Sequence, residues 1–262
     1  MEDPNLGSRA TFAIHRRVAS LDSGWLTLPG AYLLYAREGA FRLETGDRQG
    51  LLPPHRAAWV PASTPFRLTA DRPVESASIL FLTASGLEFP RECCFFSVSP
   101  LAREMIVYAT RWGEGRDPND ESADRFFLAV ADVCLELSRN PEHLWLPLVR
   151  SEFLKKALDY VVAHLADPLT PSSVASAVHT SARTLSRQLS RETTMTLGQF
   201  VQRARMLKAM ELLGGTDLTV LEIVYAVGLN SPGSFALAFR ELVQETPLQY
   251  RKRFHGNKTA KL

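Results

Sequence analysis

The sequence predicts an α+β chain in two parts, a small β-barrel with packing helices followed by an all-α domain of two helix-turn-helix motifs joined by a connecting helix. Three observations lead there. Residues 25–83 read as short strands broken by turns, the pattern turns helical from Ser99 onward, and the last third states one helical grammar twice. At 262 residues the chain is long enough for each part to bury its own core.

The strands are expected at 32–37, 40–45, 57–61, 66–69 and 76–82, with Gly39, Gly46-Asp47, Pro53-Pro54 and Pro61-Ala62 supplying the breaks. Strands so short and evenly spaced argue for a barrel or sandwich. An apolar barrel interior can hold one small ligand, and Trp25, Tyr32, Tyr35, Trp59 and Phe66 are its candidate lining, although aromatics at strand spacing also simply fill cores. His55 stands alone in this segment, so no set of histidines and a carboxylate converges on a metal, and no cofactor is expected. Cys93, Cys94 and Cys134 lack zinc or C-x-x-C spacing and read as small apolar fillers.

Two helices follow. In the first, residues 100–109, Leu101, Met105 and Tyr108 share a face; the second, 124–137, is apolar around most of its circumference and should be buried on more than one side. Asn140-Pro141 marks a boundary, after which a helix over 149–166 turns Phe153, Ala157, Tyr160, Val161, His164 and Leu165 inward. The expected organisation is a barrel at 1–95, a helical segment at 96–146, the all-α domain at 147–256 and a disordered tail at 257–262.

The repeated grammar is an amphipathic run, a turn and a second helix showing small polar and basic residues. It occupies 169–189 and again 218–240. A helix-turn-helix has this order because one helix braces the backbone contact while its partner lies in the major groove. Charge agrees: residues 148–262 hold 15 Lys+Arg against 9 Asp+Glu, and the earlier half 15 against 19, a contrast hidden in the total of +2. No apolar run is long enough to span a bilayer, and the start lacks the sections of a signal peptide, so a cytoplasmic, nucleoid-associated protein without membrane contact is expected.

The repeat, the connector Leu197-Gly198-Gln199-Phe200 through Leu213, and the closing Thr246-Pro247-Leu248-Gln249-Tyr250-Arg251 resemble the AraC/XylS family of bacterial transcription regulators over residues 150–254. Gly39 to Leu43 followed by Leu52 to Phe66 is similar to the cupin-like sensor barrel of many members, with Phe66 where that pattern often has a histidine. The resemblance implies a double-stranded promoter DNA partner, activation rather than repression, a small-molecule effector, RNA polymerase as a further partner and a homodimer through residues 96–140.

In the first unit Val174, Val178, Leu185 and Leu189 should point inward, Thr180 or Ser181 should cap the second helix, and Ser181, Arg183, Thr184, Ser186, Arg187 and Arg191 should face DNA. The resemblance places Arg183, Ser186 and Arg187 at base-contacting positions; arginine pairs bidentately with guanine, for about 1–3 kcal/mol of discrimination each. Arg191 suits phosphate. The second unit offers Ser231, Gly233, Ser234, Ala236, Leu237 and Arg240, a weaker set in which Ala236 or Leu237 meets a thymine methyl. His179, Thr194 and Gln244 stand where the family has glycine, so either the backbone differs there or strain is accepted. Arg205 and Lys208 are expected to tie the two halves by ion pairs. The competing readings are a small cupin-type enzyme and a protein-interaction module, but no nucleophile with its base is visible in residues 25–83.

Overall fold

The computed structural model describes residues 10–46, 48–82, 86–142 and 144–255. The strands are β1 (Phe12–Val18), β2 (Leu21–Leu26), β3 (Ala31–Glu38), β4 (Phe41–Thr45), β5 (Arg48–Leu52), β6 (Arg56–Val60), β7 (Phe66–Ala70), β8 (Val74–Phe81), β9 (Cys94–Ser97) and β10 (Trp145–Pro147). The helices are α1 (Pro100–Ala109), α2 (Glu121–Ser138), α3 (Glu152–Ala163), α4 (Pro171–Ala177), α5 (Ala182–Thr193), α6 (Leu197–Gly215), α7 (Val220–Ala226), α8 (Pro232–Val243) and α9 (Pro247–His255). The chain divides into two compact units, residues 1–45 with 52–143, and 46–51 with 144–262. The expected tail at 257–262 lies outside the described residues.

The strands form two antiparallel sheets, within the expected barrel-or-sandwich class and, among the described residues, without a closed barrel. The first has the order β1-β8-β3-β6-β9, and the other carries β4-β7-β2 in that order. Period-2 alternation explains why the first sheet needs cover on both faces. From Ala31 to Ala36, β3 is buried at every position, so neither face can be left to water. Leu33, Tyr35, Trp59, Ile79 and Phe96 pack with Ile106, Phe127 and Val130 of α1 and α2, whereas Tyr32 and Leu34 point the other way. Strand β1 escaped the sequence reading because His15, Arg16 and Arg17 break its apolar run; its pairing with β8, Phe12↔Leu80 to Val18↔Val74, fixes it.

Buried ion pairs anchor this unit. The Arg56 guanidinium and Glu142 carboxylate are almost wholly enclosed and lie 2.7 Å apart, and the Glu142 N–H donates to Phe95 O at 2.8 Å. Glu75 accepts from Arg37 at 2.7 Å and from His15 at 3.0 Å.

Three helical faces differ from expectation. On α1 the buried side is Ala102, Ile106 and Ala109, which leaves Leu101 and Tyr108 more than half exposed. Only one side of α2 is buried, through Ala123, Phe127, Val130, Ala131 and Cys134, while Leu128 faces outward. On α3 the stripe runs through Leu154, Ala157, Leu158 and Val161; Phe153 and Tyr160 are half-buried, and Tyr160 stacks on His164 at 4.1 Å.

Candidate nucleic-acid interface and sheet cavity

The second unit builds its two halves on one plan. Thr170 and Thr219 open α4 and α7 with capping boxes, to Ser173 and Glu222. Each seven-residue helix ends in a left-handed turn, at His179 (φ 54°) and Gly228 (φ 75°), closed by Thr180 N–H to Ala175 O and Leu229 N–H to Val224 O, both 2.9 Å. A serine then caps each twelve-residue helix: Ser181 Oγ accepts from Thr184 N–H at 3.1 Å, and Ser231 Oγ from Ser234 N–H at 3.2 Å. Both helices end left-handed, at Thr194 (φ 57°) and Gln244 (φ 62°).

The alternative left open at the three family glycines is therefore settled: the backbone is left-handed at His179, Thr194 and Gln244, and strain is accepted. A β-branched residue fits that region poorly. Removing Thr194's strain, about 1–3 kcal/mol, outweighs the backbone entropy cost of glycine, about 0.5–1 kcal/mol. Thr194→Gly is expected to raise the stability of this unit by about 1 kcal/mol, read as a higher urea midpoint at unchanged slope.

Leu185 and Leu189 are fully buried and fix the roll of α5, so its opposite side carries Arg183, Ser186, Arg187 and Arg191, all exposed. None of these three arginines has an ion-pair partner among the described residues. Thr184 is half-buried, and its hydroxyl accepts a hydrogen bond from Ser181 Oγ at 2.9 Å, so these two groups serve the cap first. On α8, Phe235, Phe239 and Val243 turn inward, Phe239 meeting the ring of Tyr250 edge-on at 5.4 Å. Ser231, Gly233, Ser234, Leu237 and Arg240 are exposed, and Ala236 is half-buried. Among the described residues outside its own helix backbone, the atom nearest to a Cβ placed at Gly233 is Ser231 Oγ at 3.9 Å, so a side chain there would meet ordinary contact only.

Glu192 is a docking residue that the sequence reading missed. Its carboxylate, at the end of α5, accepts from the N–H of Arg150 at 2.8 Å and of Ser151 at 3.2 Å, from Gln188 at 2.8 Å and from the Ser151 hydroxyl. It thereby tethers α5 to the start of α3. Burial pushes the carboxyl up, but the hydrogen bonds from Ser151, Gln188 and Arg150 outweigh it and hold the pKa at about 2, against an ordinary 4.5. A depressed pKa contributes stability above the unfolded value and loses it as the pH falls toward the folded one. The stability advantage of the parent over Glu192→Gln should accordingly be full above pH 4.5 and drain away toward pH 2, as read in urea midpoints across that window.

The connecting helix α6 has 19 residues, about 28 Å at 1.5 Å each. It buries Leu197, Phe200, Val201, Ala204, Met206, Leu207, Ala209, Met210 and Leu213, and leaves Leu212 half-buried. Burial on several sides holds it more firmly than a single stripe would. Arg205 bridges the halves, though not by an ion pair: it donates to the carbonyls of Leu165 at 3.1 Å and Asp167 at 3.0 Å. Lys208 pairs with Glu211 one turn along the same helix and bridges nothing.

In the first unit, the five aromatic candidates separate. Tyr32 and Phe66, stacked at 5.7 Å, line a cavity between the two sheets. Tyr35 and Trp59 belong to the helix-covered core on the other face, and Trp25 is 53% exposed on β2. The wall also includes Arg16, Leu34 and Ser76, which the sequence reading missed because β1 and the even positions of β3 and β8 were not assigned a side. His55 hydrogen-bonds Tyr35 at 3.3 Å, and no three His, Cys, Asp or Glu side chains gather as a metal site among the described residues. Burial raises the thiols of Cys94 to about 11 and Cys134 to about 12, which keeps both protonated and unreactive. No helix among the described residues is long and apolar enough to cross a membrane.

These paired capped helices define a DNA-reading protein, and the comparisons agree. The family profile described as "Helix-turn-helix domain" matches residues 174–253. The regulatory protein PocR of Salmonella typhimurium is 33% identical over 111 residues, 42% of this chain and 37% of PocR. The HTH-type transcriptional regulator NimR of Escherichia coli is 25% identical over 242 residues, 91% of this chain and 86% of NimR. The HTH-type transcriptional activator RhaS of Escherichia coli is 28% identical over 158 residues, 60% of this chain and 55% of RhaS. The chain thus spans most of NimR but well under two thirds of PocR and RhaS. Residues 174–253 thus form a helix-turn-helix domain, and the chain is similar to HTH-type transcriptional regulators over that region and beyond it.

Proposed function

We propose that this regulator binds promoter DNA by laying α5 and α8 into successive major grooves on one side of the duplex, and that a small effector held by the sheeted unit alters that binding. The carrying observation is the pair of capped twelve-residue helices, each rolled by buried residues so that Arg183, Ser186 and Arg187, or Ser234, Leu237 and Arg240, face outward. Arg183 and Arg187 read guanine, Ser186 assists, and Arg191 and Arg240 meet phosphate. The second helix, with Gly233 and Ala236 in place of donors, makes the looser demand on sequence. Exposed Leu101, Tyr108 and Leu128 support self-association through residues 96–140. The cavity containing Tyr32 and Phe66 is the effector's place, and the protein acts in the cytoplasm, with RNA polymerase as a further partner.

A stiff α6 fixes the spacing of the two readers near one helical turn of DNA, about 34–36 Å. An insertion of about five base pairs between the two half-sites, half a turn, should reduce affinity to that for unrelated DNA, and affinity for the parent site should fall steeply with salt. Binding that tolerates the insertion, or ignores salt, would rule the arrangement out.

A further inference from the structure

Between the two sheets lies a cavity of about 60 Å³ whose wall is mostly apolar, with Arg16, Ser23, Tyr32 and Ser76 as its polar residues. Ile14, Leu34, Phe41, Phe66 and Leu68 make most of it. Ser76 does not match them: it is 6% exposed, it lines the cavity, and its hydroxyl has no hydrogen-bond partner among the described residues. Its neighbours on β8 are satisfied, Ser78 by Ile14 O and Glu75 by Arg37 and His15. The Ser76 hydroxyl opens onto the cavity with its hydrogen-bonding capacity unused, so it is free to bond a polar group that enters there. Directly across the strand pair from Ser76 is Arg16, which also lines the cavity. Arg16 has no ion-pair partner among the described residues, although the adjacent Arg17 pairs with Glu38.

We infer that this cavity binds a short aliphatic carboxylate, its tail among the apolar residues and its carboxylate held by the Arg16 guanidinium and the Ser76 hydroxyl. The inference rests on the reading of the sheeted unit as effector-binding and gives that effector a chemical class. A guanidinium presents two parallel donors that match a carboxylate, and Ser76 supplies one more. The single cation suits a monoanion better than a phosphate dianion. Volume sets the length: at about 10–15 Å³ per water-sized site the cavity accepts about four to six such sites, hence a tail of about four to six carbons.

Calorimetric titration of the full chain with hexanoate tests this. Hexanoate should bind saturably at one per chain. Hexan-1-ol, which keeps the tail without the charge, and acetate, which keeps the charge without the tail, should each bind about tenfold more weakly or worse. Arg16→Gln, at an exposed position on β1, should weaken hexanoate by about tenfold, and Ser76→Ala should weaken it by less. Absence of hexanoate binding, equal binding of hexan-1-ol, or an unchanged Arg16→Gln would each overturn the inference. Titrating DNA with and without hexanoate separates the two readings. If hexanoate binds as described and DNA affinity does not change, the carboxylate site stands and the effector role falls. If hexanoate fails to bind, the carboxylate site falls and the effector role is left to another ligand class.

Discussion

Arg187→Ala should erase the preference of this protein for its cognate promoter site over unrelated duplex while leaving its fold and its residual, salt-sensitive DNA binding in place. The side chain is exposed on α5, opposite fully buried Leu185 and Leu189, and no carboxylate among the described residues competes for it. Truncation consequently removes nothing the protein uses for its own packing. A bidentate arginine–guanine contact is worth about 1–3 kcal/mol, about 5- to 150-fold in affinity ratio. The measurement is a gel-shift competition between a site selected from genomic fragments and a scrambled duplex. An unchanged ratio would show that Arg187 does not read a base. Arg191→Ala, one turn on, should instead weaken both duplexes alike and lower the salt slope by about one.

Gly228→Val should unfold the second half of the DNA-binding unit at temperatures the parent withstands. Gly228 has φ 75°, and a Cβ there would lie 2.1 Å from Leu165 O and 2.7 Å from an Arg205 guanidinium nitrogen. Backbone strain alone costs about 1–3 kcal/mol for a side chain in that region. The collision adds to this, because Arg205 is held by the same Leu165 carbonyl and by Asp167, and a shift would break that bridge. A loss of about 3 kcal/mol or more is expected, measured by thermal melting of the full chain followed by helix circular dichroism. The contrast with His179 sharpens the test. It occupies the equivalent turn with φ 54° but is exposed, so only strain acts there, and His179→Gly should stabilise slightly. Equal tolerance of Gly228→Val and His179→Val would refute the steric account.

Much of the DNA-binding unit was legible because its signals are local. The cap at Ser181, Pro232 in a first turn, and leucines four apart at Leu185 and Leu189 act within one or two turns of helix, and each stands where the sequence put it. Glu192 was not legible. Its partners Arg150 and Ser151 are about forty positions away, and no helical periodicity reports that an exposed-looking glutamate will accept bonds from the start of another helix. The same limit applied to Arg205, where a basic residue on a helix suggested an ion pair and the structure gave it two backbone carbonyls instead.

In the sheeted unit the balance shifts. Strands β3, β6 and β8 are marked by their own apolar runs, but β1, β2 and β5 are short or polar and gain their identity only from neighbours distant in sequence. Which side a residue faces followed the same rule. Tyr32 and Tyr35 lie three apart on β3, and both read as possible lining; the pleat sends the first to the cavity and the second beneath the helices.

The residues by themselves determined that this chain caps and turns two similar helix pairs, that their outer faces carry arginine and serine, and that the N-terminal part forms short strands, because propensity, capping and periodicity act over a few neighbouring residues. Tertiary structure alone decided that the strands make two sheets rather than a closed barrel, that Ser76 and Arg16 meet at one cavity wall, and that Gly228 admits no side chain. Each of those depends on strand pairing or close approach between segments far apart in sequence, and no local pattern encodes which distant segment a strand will meet.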